Sequence, residues 1–522
     1  MKEGVETAWD NPTRPEDNVV SAWGSHENGM PSSEDMDDID ILPDHELNTR
    51  TGRSRRRRLV ICVVVVAVVA VIGIVVGVLA TSSKPKTSTS SQENSAIPPT
   101  PSSPSTPSGP TTASFPSAPV GAPLPATSAP TSSNAAEIRS IIMSNARFGG
   151  TEFQDKTSYQ SKALAWVQTQ SLPATGISLT LEQQTIQLYA LACIYYNTYS
   201  TRSAWTDFEF GAGNAIPGWY ATQGWLKDAS QVCSWFGITC NQNGGVEKIE
   251  LATNGLTGYL PPETALLKDS LTYLDLYKNI INNKGDLGNS FLGELTNLQY
   301  LYYGTTSFEY DGIPTEIGLL TNLIEYDCSY TLYFGPLDGN MWSGLTNLDY
   351  LVMDGNAYNM SLPQQLVSLP NLKYLYVGFS FLEGHFDFMS QMSNIIEFWV
   401  DDNPQMGGSI PTTIGQVTTL KSFSATDCAL TGTIPTELGL LTGMIQMWFY
   451  DNLLHGTIPT ELANLINLQT FQVQKNDLTG TMPSGVCSRM TPFGRLQDLG
   501  ADCSPIVTCG CCTCCGSACA NA

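Results

Sequence analysis

Positive charge and histidine are scarce in this chain. Its 522 residues carry 25 Lys and Arg against 48 Asp and Glu, a formal charge of −23, and only 4 His. Residues 1–58 hold 13 acids and 8 bases, which leaves 35 acids and 17 bases beyond them. A surface of that sign repels phosphate and argues against nucleic acid as a partner. It suits cationic peptides, calcium or plain solubility. Past residue 58 the only histidines are His385 and His455, far apart in sequence and with no Ser or Cys to activate. The chain has no His-Glu-x-x-His motif and no phosphate-binding glycine loop. It also lacks a glycine-rich loop paired with a strand lysine, a His-Arg-Asp and an Asp-Phe-Gly, so no kinase is present. With no acid, base and nucleophile converging, the expectation is a non-enzyme without cofactor or metal.

One apolar run sets the compartment. Leu59 to Ala80, "LVICVVVVAVVAVIGIVVGVLA", is free of charge and would reach about 33 Å as a helix. A cleaved signal peptide would start earlier and have a shorter core. Arg53, Arg55, Arg56, Arg57 and Arg58 precede the run, whereas Lys84 and Lys86 follow it. Basic flanks stay cytoplasmic, which predicts a single-pass, type II signal-anchor protein of the plasma membrane with its large C-terminal part outside. Residues 1–58 then form a disordered acidic cytoplasmic tail. Residues 81–134 hold 24 Ser or Thr and 12 Pro, the composition of an O-glycosylated stalk, spanning at most about 170 Å.

Residues 135–242 read as helical. Thr180 and Gln183 make a capping-box pattern, followed by an apolar face of Leu181, Leu188, Leu191, Ala192 and Tyr195. Met143 and Ala163–Val167 mark two earlier helices. Trp205, Trp219, Trp225 and Trp235 cluster late in the segment, where packing explains them more simply than a ligand does.

Residues 243–486 repeat. "LTNLQYLYY", "LTNLIEYDC", "LTNLDYLVM" and "LPNLKYLYV" are one phrase. Taking its second apolar position gives Val246, Leu271, Leu298, Leu323, Leu348, Leu372, Ile395, Leu420, Met444 and Leu468. The pattern L-x-x-L-x-L-x-x-N-x-L-x-G-x-I-P makes a short strand with alternate residues inward, pairing in parallel with its neighbours. The Asn at 254, 279, 356, 403, 452 and 476 turns inward to satisfy turn backbone. Thr306, Thr331, Ser380 and Cys428 stand in its place elsewhere. A single copy cannot bury its own edge, so about ten stack into one core, a ribbon about 45 Å long. The expected fold is therefore an α/β repeat solenoid, a horseshoe with a parallel β-sheet on its concave face and a helical N-terminal cap region.

The phrases "LTGTIPTELGLLTGM" (Leu430–Met444), "LHGTIPTELANLINL" (Leu454–Leu468) and "LTGTMP" (Leu478–Pro483) resemble the plant-type leucine-rich repeat family. That family comprises receptor-like and receptor-kinase ectodomains. "VCSWFGITC" (Val232–Cys240) is similar to its N-terminal cap, with Cys-x-Trp-x-Gly-x-x-Cys at its centre. The resemblance covers residues 205–503 and implies a Cys233–Cys240 disulfide. Cys487 and Cys503 bracket the last turn and would staple the C-terminal cap within residues 487–522. Cys328 and Cys428 read as buried thiols, and Cys193 has no evident partner. For Cys509, Cys511, Cys512, Cys514, Cys515 and Cys519 two readings stay open: disulfides, favoured in an oxidising space, and a thiolate metal cluster. Asn359, in Asn-Met-Ser, is the permissive N-glycosylation sequon.

Outward positions of the strands carry a run of aromatics. Tyr273, Tyr300, Tyr350 and Tyr374 share one position; Tyr302, Tyr376, Trp399 and Trp448 share the next. Tyr450, Asp401, Asp402 and Asp451 lie just beyond. Such rings could stack only to stabilise the sheet. They could equally form a binding surface for an extracellular peptide, protein or glycan, since Tyr and Trp give contact area with a polar tip. Acidic neighbours favour a basic ligand. The expected function is a receptor-like protein that signals through a partner such as a co-receptor kinase. The alternatives are an adhesive wall or matrix protein crosslinked by its cysteine tail, or an inhibitor of an extracellular hydrolase.

Overall fold

The structure, a computed structural model, describes residues 132–172, 178–199, 218–282, 290–306, 312–492, 494–503 and 506–516. The acidic tail 1–58, the apolar run 59–80, most of the stalk, Trp205 and Cys519 lie outside the described residues. Among the described residues no helix is long and apolar enough to cross a membrane.

Three helices come first: α1 (Ser132–Ser144), α2 (Tyr159–Val167) and α3 (Leu181–Thr198). At the start of α3, Thr180 Oγ1 accepts from the Gln183 N–H at 3.2 Å and Gln183 Oε1 accepts from the Thr180 N–H at 2.9 Å. Two donors that the first helical turn leaves unpaired are thereby satisfied. Leu188, Leu191 and Ala192 are buried, and α3 packs against both α2 and the 3-10 turn Pro262–Leu267 of the first repeat. Trp225 joins the groups, with ring centroids 4.7 Å from Trp219 and 5.1 Å from Trp235. The indole N–H groups of Trp219, Trp225 and Trp235 donate to Thr198 Oγ1, the Phe236 carbonyl and the Asp228 carbonyl. A buried, fully satisfied tryptophan cluster is core.

One 13-stranded sheet runs through the repeats. Ile238–Cys240 pairs antiparallel with Val246–Glu250, and every later pairing is parallel. Parallel pairing follows from the repeat length: each copy returns the chain to its starting edge through the lateral G-x-I-P turn. Gly432, Gly456 and Gly480 hold φ of 77°, 84° and 92° in those turns, a region open to glycine at no steric cost. Inward side chains such as Leu274, Leu301, Leu351, Leu375, Phe398, Phe423, Met447 and Phe471 are all buried.

The asparagines weld each turn to the next. Asn403 Oδ1 accepts from the N–H groups of Ser380 (3.1 Å) and Leu382 (2.8 Å), and its Nδ2 donates to the carbonyls of Val377 (2.9 Å) and Val400 (2.8 Å). Asn279 does the same for Asn254, Leu256, Leu251 and Leu276. Asn403→Ala strips four bonds inside a dry core. At about 1–3 kcal/mol per buried group left unpaired, the expected loss is about 3 kcal/mol or more. Asn371→Ala, which removes one exposed bond to Thr346, should cost under about 1 kcal/mol. Equilibrium urea denaturation separates the two.

The residue before each ladder position is left-handed. Thr253, Lys278, Thr305, Tyr330, Phe379, Asp402, Asp427, Asp451 and Lys475 have φ between 46° and 56°. This reversal turns the following side chain inward. Its recurrence in non-glycine residues was not visible in the repeat phrase.

At the C-terminal end the sheet outlasts the expected ten copies. Asp498–Ala501 and Cys514–Cys515 add two more strands, with Ala501 beside Cys515. That extension corrects the expected staple: Cys503 bonds Cys515, and Cys487 bonds Cys511. The new strand carries Cys515 to Cys503. Pairing of Gly480–Thr481 with Val507–Thr508 brings the following residues back over the turn Ser484–Cys487, where Cys511 meets Cys487. Cys509 bonds Cys512, Cys514 is also disulfide-bonded, and Cys233 bonds Cys240. Cys193, Cys328 and Cys428 are buried free thiols.

Candidate functional site

On its open face the sheet shows the first and third residue of each strand. Register places Tyr273 beside Tyr300, Tyr350 beside Tyr374, and Tyr376 beside Trp399. The sequence-predicted rings therefore share one surface, but they divide into two patches. Tyr273 lies 5.5 Å, centroid to centroid, from both Tyr300 and Tyr302. Tyr350 lies 5.7 Å from Tyr374 and 5.5 Å from Tyr376, and the series continues to Trp399 (5.0 Å) and then Trp448 (5.9 Å). Between the patches runs the strand Glu325–Asp327.

All these rings are half-buried except Tyr376, which is buried at 5 % exposure. Trp399 and Trp448 sit either side of Ser424 in register. The Trp399 indole donates to Ser422 Oγ at 2.9 Å, and both serines are buried. Small serines in the two intervening strand positions leave room for the indoles to meet above them.

Sequence reasoning missed two carboxylates in this surface. Glu325 accepts from the Tyr302 hydroxyl, and Glu397 Oε2 accepts from the Tyr376 hydroxyl at 2.8 Å. The available signal was register: Glu325 lies between Tyr300 and Tyr350, and Glu397 beside Tyr374, at the same strand position. Burial raises the Glu397 carboxyl above its ordinary range, and the Tyr376 hydroxyl opposes that rise.

The predicted aspartates have internal duties. Asp401 Oδ1 accepts from Ser424 Oγ (2.6 Å), the Thr426 N–H (2.7 Å) and Thr426 Oγ1 (2.8 Å), bracing the next copy. Asp402 and Asp451 occupy the left-handed position, which Asp tolerates better than most residues. Asp451 also pairs with Lys475. Tyr450 is half-buried, and burial, reinforced by Asp401, pushes its hydroxyl up to about 12. Nearby, Asp354 Oδ1 accepts from the Gly378 N–H at 2.5 Å. Burial lifts the Asp354 carboxyl to about 8; Gly378 opposes the rise, while Asp327 and Asp401 add to it. Tyr330 and Phe379 stand exposed at the rim. Asn359 is exposed in the turn after its strand.

Against known proteins, no family model matches the chain. Leucine-rich repeat protein 1 of Arabidopsis thaliana is 39 % identical over 59 residues, 11 % of this chain and 27 % of that protein. Receptor-like protein kinase 7 of the same plant is 29 % identical over 148 residues, 28 % of this chain and 15 % of the kinase. Phytosulfokine receptor 1, also from Arabidopsis thaliana, is 36 % identical over 100 residues, 18 % and 9 % of the two chains. The chain thus spans well under two thirds of these relatives. Among solved structures, the ectodomain of the Arabidopsis thaliana receptor kinase GASSHO1/SCHENGEN3 superposes with a TM-score of 0.47 at 27 % identity, over 54 % of this chain and 32 % of that one. The plant peptide hormone receptor RGFR1 superposes at 0.46 and 28 %, over 51 % and 44 %. In class, then, the molecule is a leucine-rich repeat solenoid with a parallel sheet. More particularly, its repeats are similar to those of plant leucine-rich repeat proteins and receptor-like kinases.

Proposed function

We propose that this chain is a single-pass, type II membrane protein of receptor-like kind. Its repeats bind an extended, basic extracellular peptide across the Tyr350–Trp448 patch, and it signals through a partner kinase. The observation that carries this reading is the second aromatic patch. Five rings in mutual contact stay half-buried or rim a carboxylate, with no segment of the described chain laid over them. Rings of this kind are the usual anchors of a binding surface. The relatives named as receptors and receptor kinases support the same class, and the Leu59–Ala80 run with its arginines supports the anchoring. The stalk would hold the repeats clear of the lipid, and a glycan on Asn359 would leave the aromatic patch open.

The test is a screen of the detergent-solubilised chain on peptide and glycan arrays across pH 6 to 9. Binding of basic peptides is expected, weakening as pH falls. A ligand that recognises only the ionised Asp354 carboxylate weakens about tenfold per pH unit below that group's pKa. Asp354→Asn should abolish that slope. A surface that binds glycans alone, with no pH slope, would transfer the assignment to the adhesive alternative.

A further inference from the structure

The C-terminal cap carries chemistry that ligand binding does not use. Cys509 is bonded to Cys512, and Cys511, which lies between them in sequence, is bonded to Cys487. The Cys509 and Cys511 sulfurs are 3.9 Å apart, so the two disulfides adjoin. Cys509, Cys511 and Cys512 are each half-buried, with Gly510 exposed between the first two, and a thiol from solvent can approach. Exchange between thiols and disulfides needs a thiolate, access to one sulfur and a displaced thiolate with somewhere to go. Here the displaced thiolate has a second disulfide beside it.

We propose that this cap is a thiol-exchange site for a thiol-bearing peptide. The incoming thiolate bonds to Cys512 Sγ and breaks the Cys509–Cys512 bond. The Cys509 thiolate then bonds to Cys511 Sγ, which breaks the Cys487–Cys511 bond. Cys487 leaves as a thiolate and takes up the proton that the incoming thiol gave up. One mixed disulfide and one internal disulfide replace two internal ones, so no external oxidant or reductant is consumed. The outcome is a covalently attached peptide and a free thiol on the turn Ser484–Cys487, which had been tied to the tail. Cys233–Cys240 stands at the other end of the sheet. Among the described residues it has no such neighbour, and it serves as the internal reference.

The experiment treats the intact chain with graded reduced glutathione, traps free thiols by alkylation and maps the bonds by mass spectrometry. The first altered species should carry glutathione on Cys512, a Cys509–Cys511 bond and an alkylated Cys487, with Cys233–Cys240 and Cys503–Cys515 intact. Cys509→Ser with Cys512→Ser removes the relay but only a three-residue loop. In that variant the Cys487–Cys511 bond should need about tenfold more glutathione to open. Two results would overturn the proposal. One is glutathione on Cys512 with Cys509 alkylated and Cys487–Cys511 unbroken; the other is equal sensitivity of Cys487–Cys511 in the variant and the parent chain.

Discussion

Replacing Trp399 and Trp448 together by Ala should lower peptide affinity by at least about 100-fold, while the repeats stay folded. Central aromatic anchors commonly cost about 2 kcal/mol or more each when truncated. These two touch each other across Ser424, so their losses will not simply add. The competing account is that the rings only stack along the sheet. Cross-strand aromatic pairs are worth about 0.2–1 kcal/mol each, and the buried Ser422 and Ser424 beneath them would be wetted. The two accounts part on the measurement. A pure stacking role predicts a fall in urea midpoint with unchanged affinity for whatever peptide the screen returns. The binding role predicts the reverse ordering, a large loss of affinity with a modest fall in midpoint. Tyr273→Ala with Tyr300→Ala, in the first patch beyond the Glu325–Asp327 strand, is the matched comparison. It should weaken binding far less if the ligand lies on the second patch.

Much of this architecture was legible because the repeat phrase states both period and direction. Inward leucines and the outward tyrosine rows follow from alternation along a strand, the ladder asparagines from their fixed place in the phrase, and the register of Tyr350, Tyr374, Tyr376 and Trp399 needed no tertiary information. What the phrase could not show is which partner a side chain takes across copies. Asp401 looked like a free rim carboxylate, yet Ser424 and Thr426 of the following copy occupy it. Asp402 and Asp451 looked acidic by choice, and their backbone angles give them a turn-forming task as well. The cysteine pairing failed for a related reason. Cys514–Cys515 lacks the leucine spacing that announces a copy, and Asp498–Ala501 keeps only its core, Leu496-x-x-Leu499-x-Ala501, without the Asn and G-x-I-P that complete the phrase, so the partners these strands bring to Cys503 and Cys487 arise from the stacking itself.

Glu263→Gln should raise stability at neutral and alkaline pH and flatten its dependence on pH. Glu263 opens the first repeat's lateral turn, is 0 % exposed and faces the helical region. Its Oε2 accepts from the Tyr159 hydroxyl of α2 at 3.0 Å, and its Oε1 has no partner. Glu152, Tyr189 and Cys193 also face it; the Glu152 Oε2 and the Tyr189 hydroxyl are themselves buried without partners. Arg147, which feels the Glu263 charge, is engaged with Glu294. Burial therefore raises the Glu263 carboxyl above its ordinary value, opposed by the Tyr159 hydroxyl and reinforced by Glu152. A carboxyl with a raised folded-state pKa contributes fully below its unfolded value, about 4.3. That contribution is lost as pH rises through the raised value. Glutamine keeps an acceptor for Tyr159 and cannot ionise, so the gap between variant and parent should open above about pH 4 and then level off. Truncating one member of a buried charged site moves stability by about 3–5 kcal/mol in the worst cases; a neutral isostere that relieves the charge should recover about 1–3 kcal/mol. Urea midpoints taken at intervals from pH 4 to pH 9 give the difference directly. Parallel curves for the two proteins over that range would mean that Glu263 does not titrate against its docking surface.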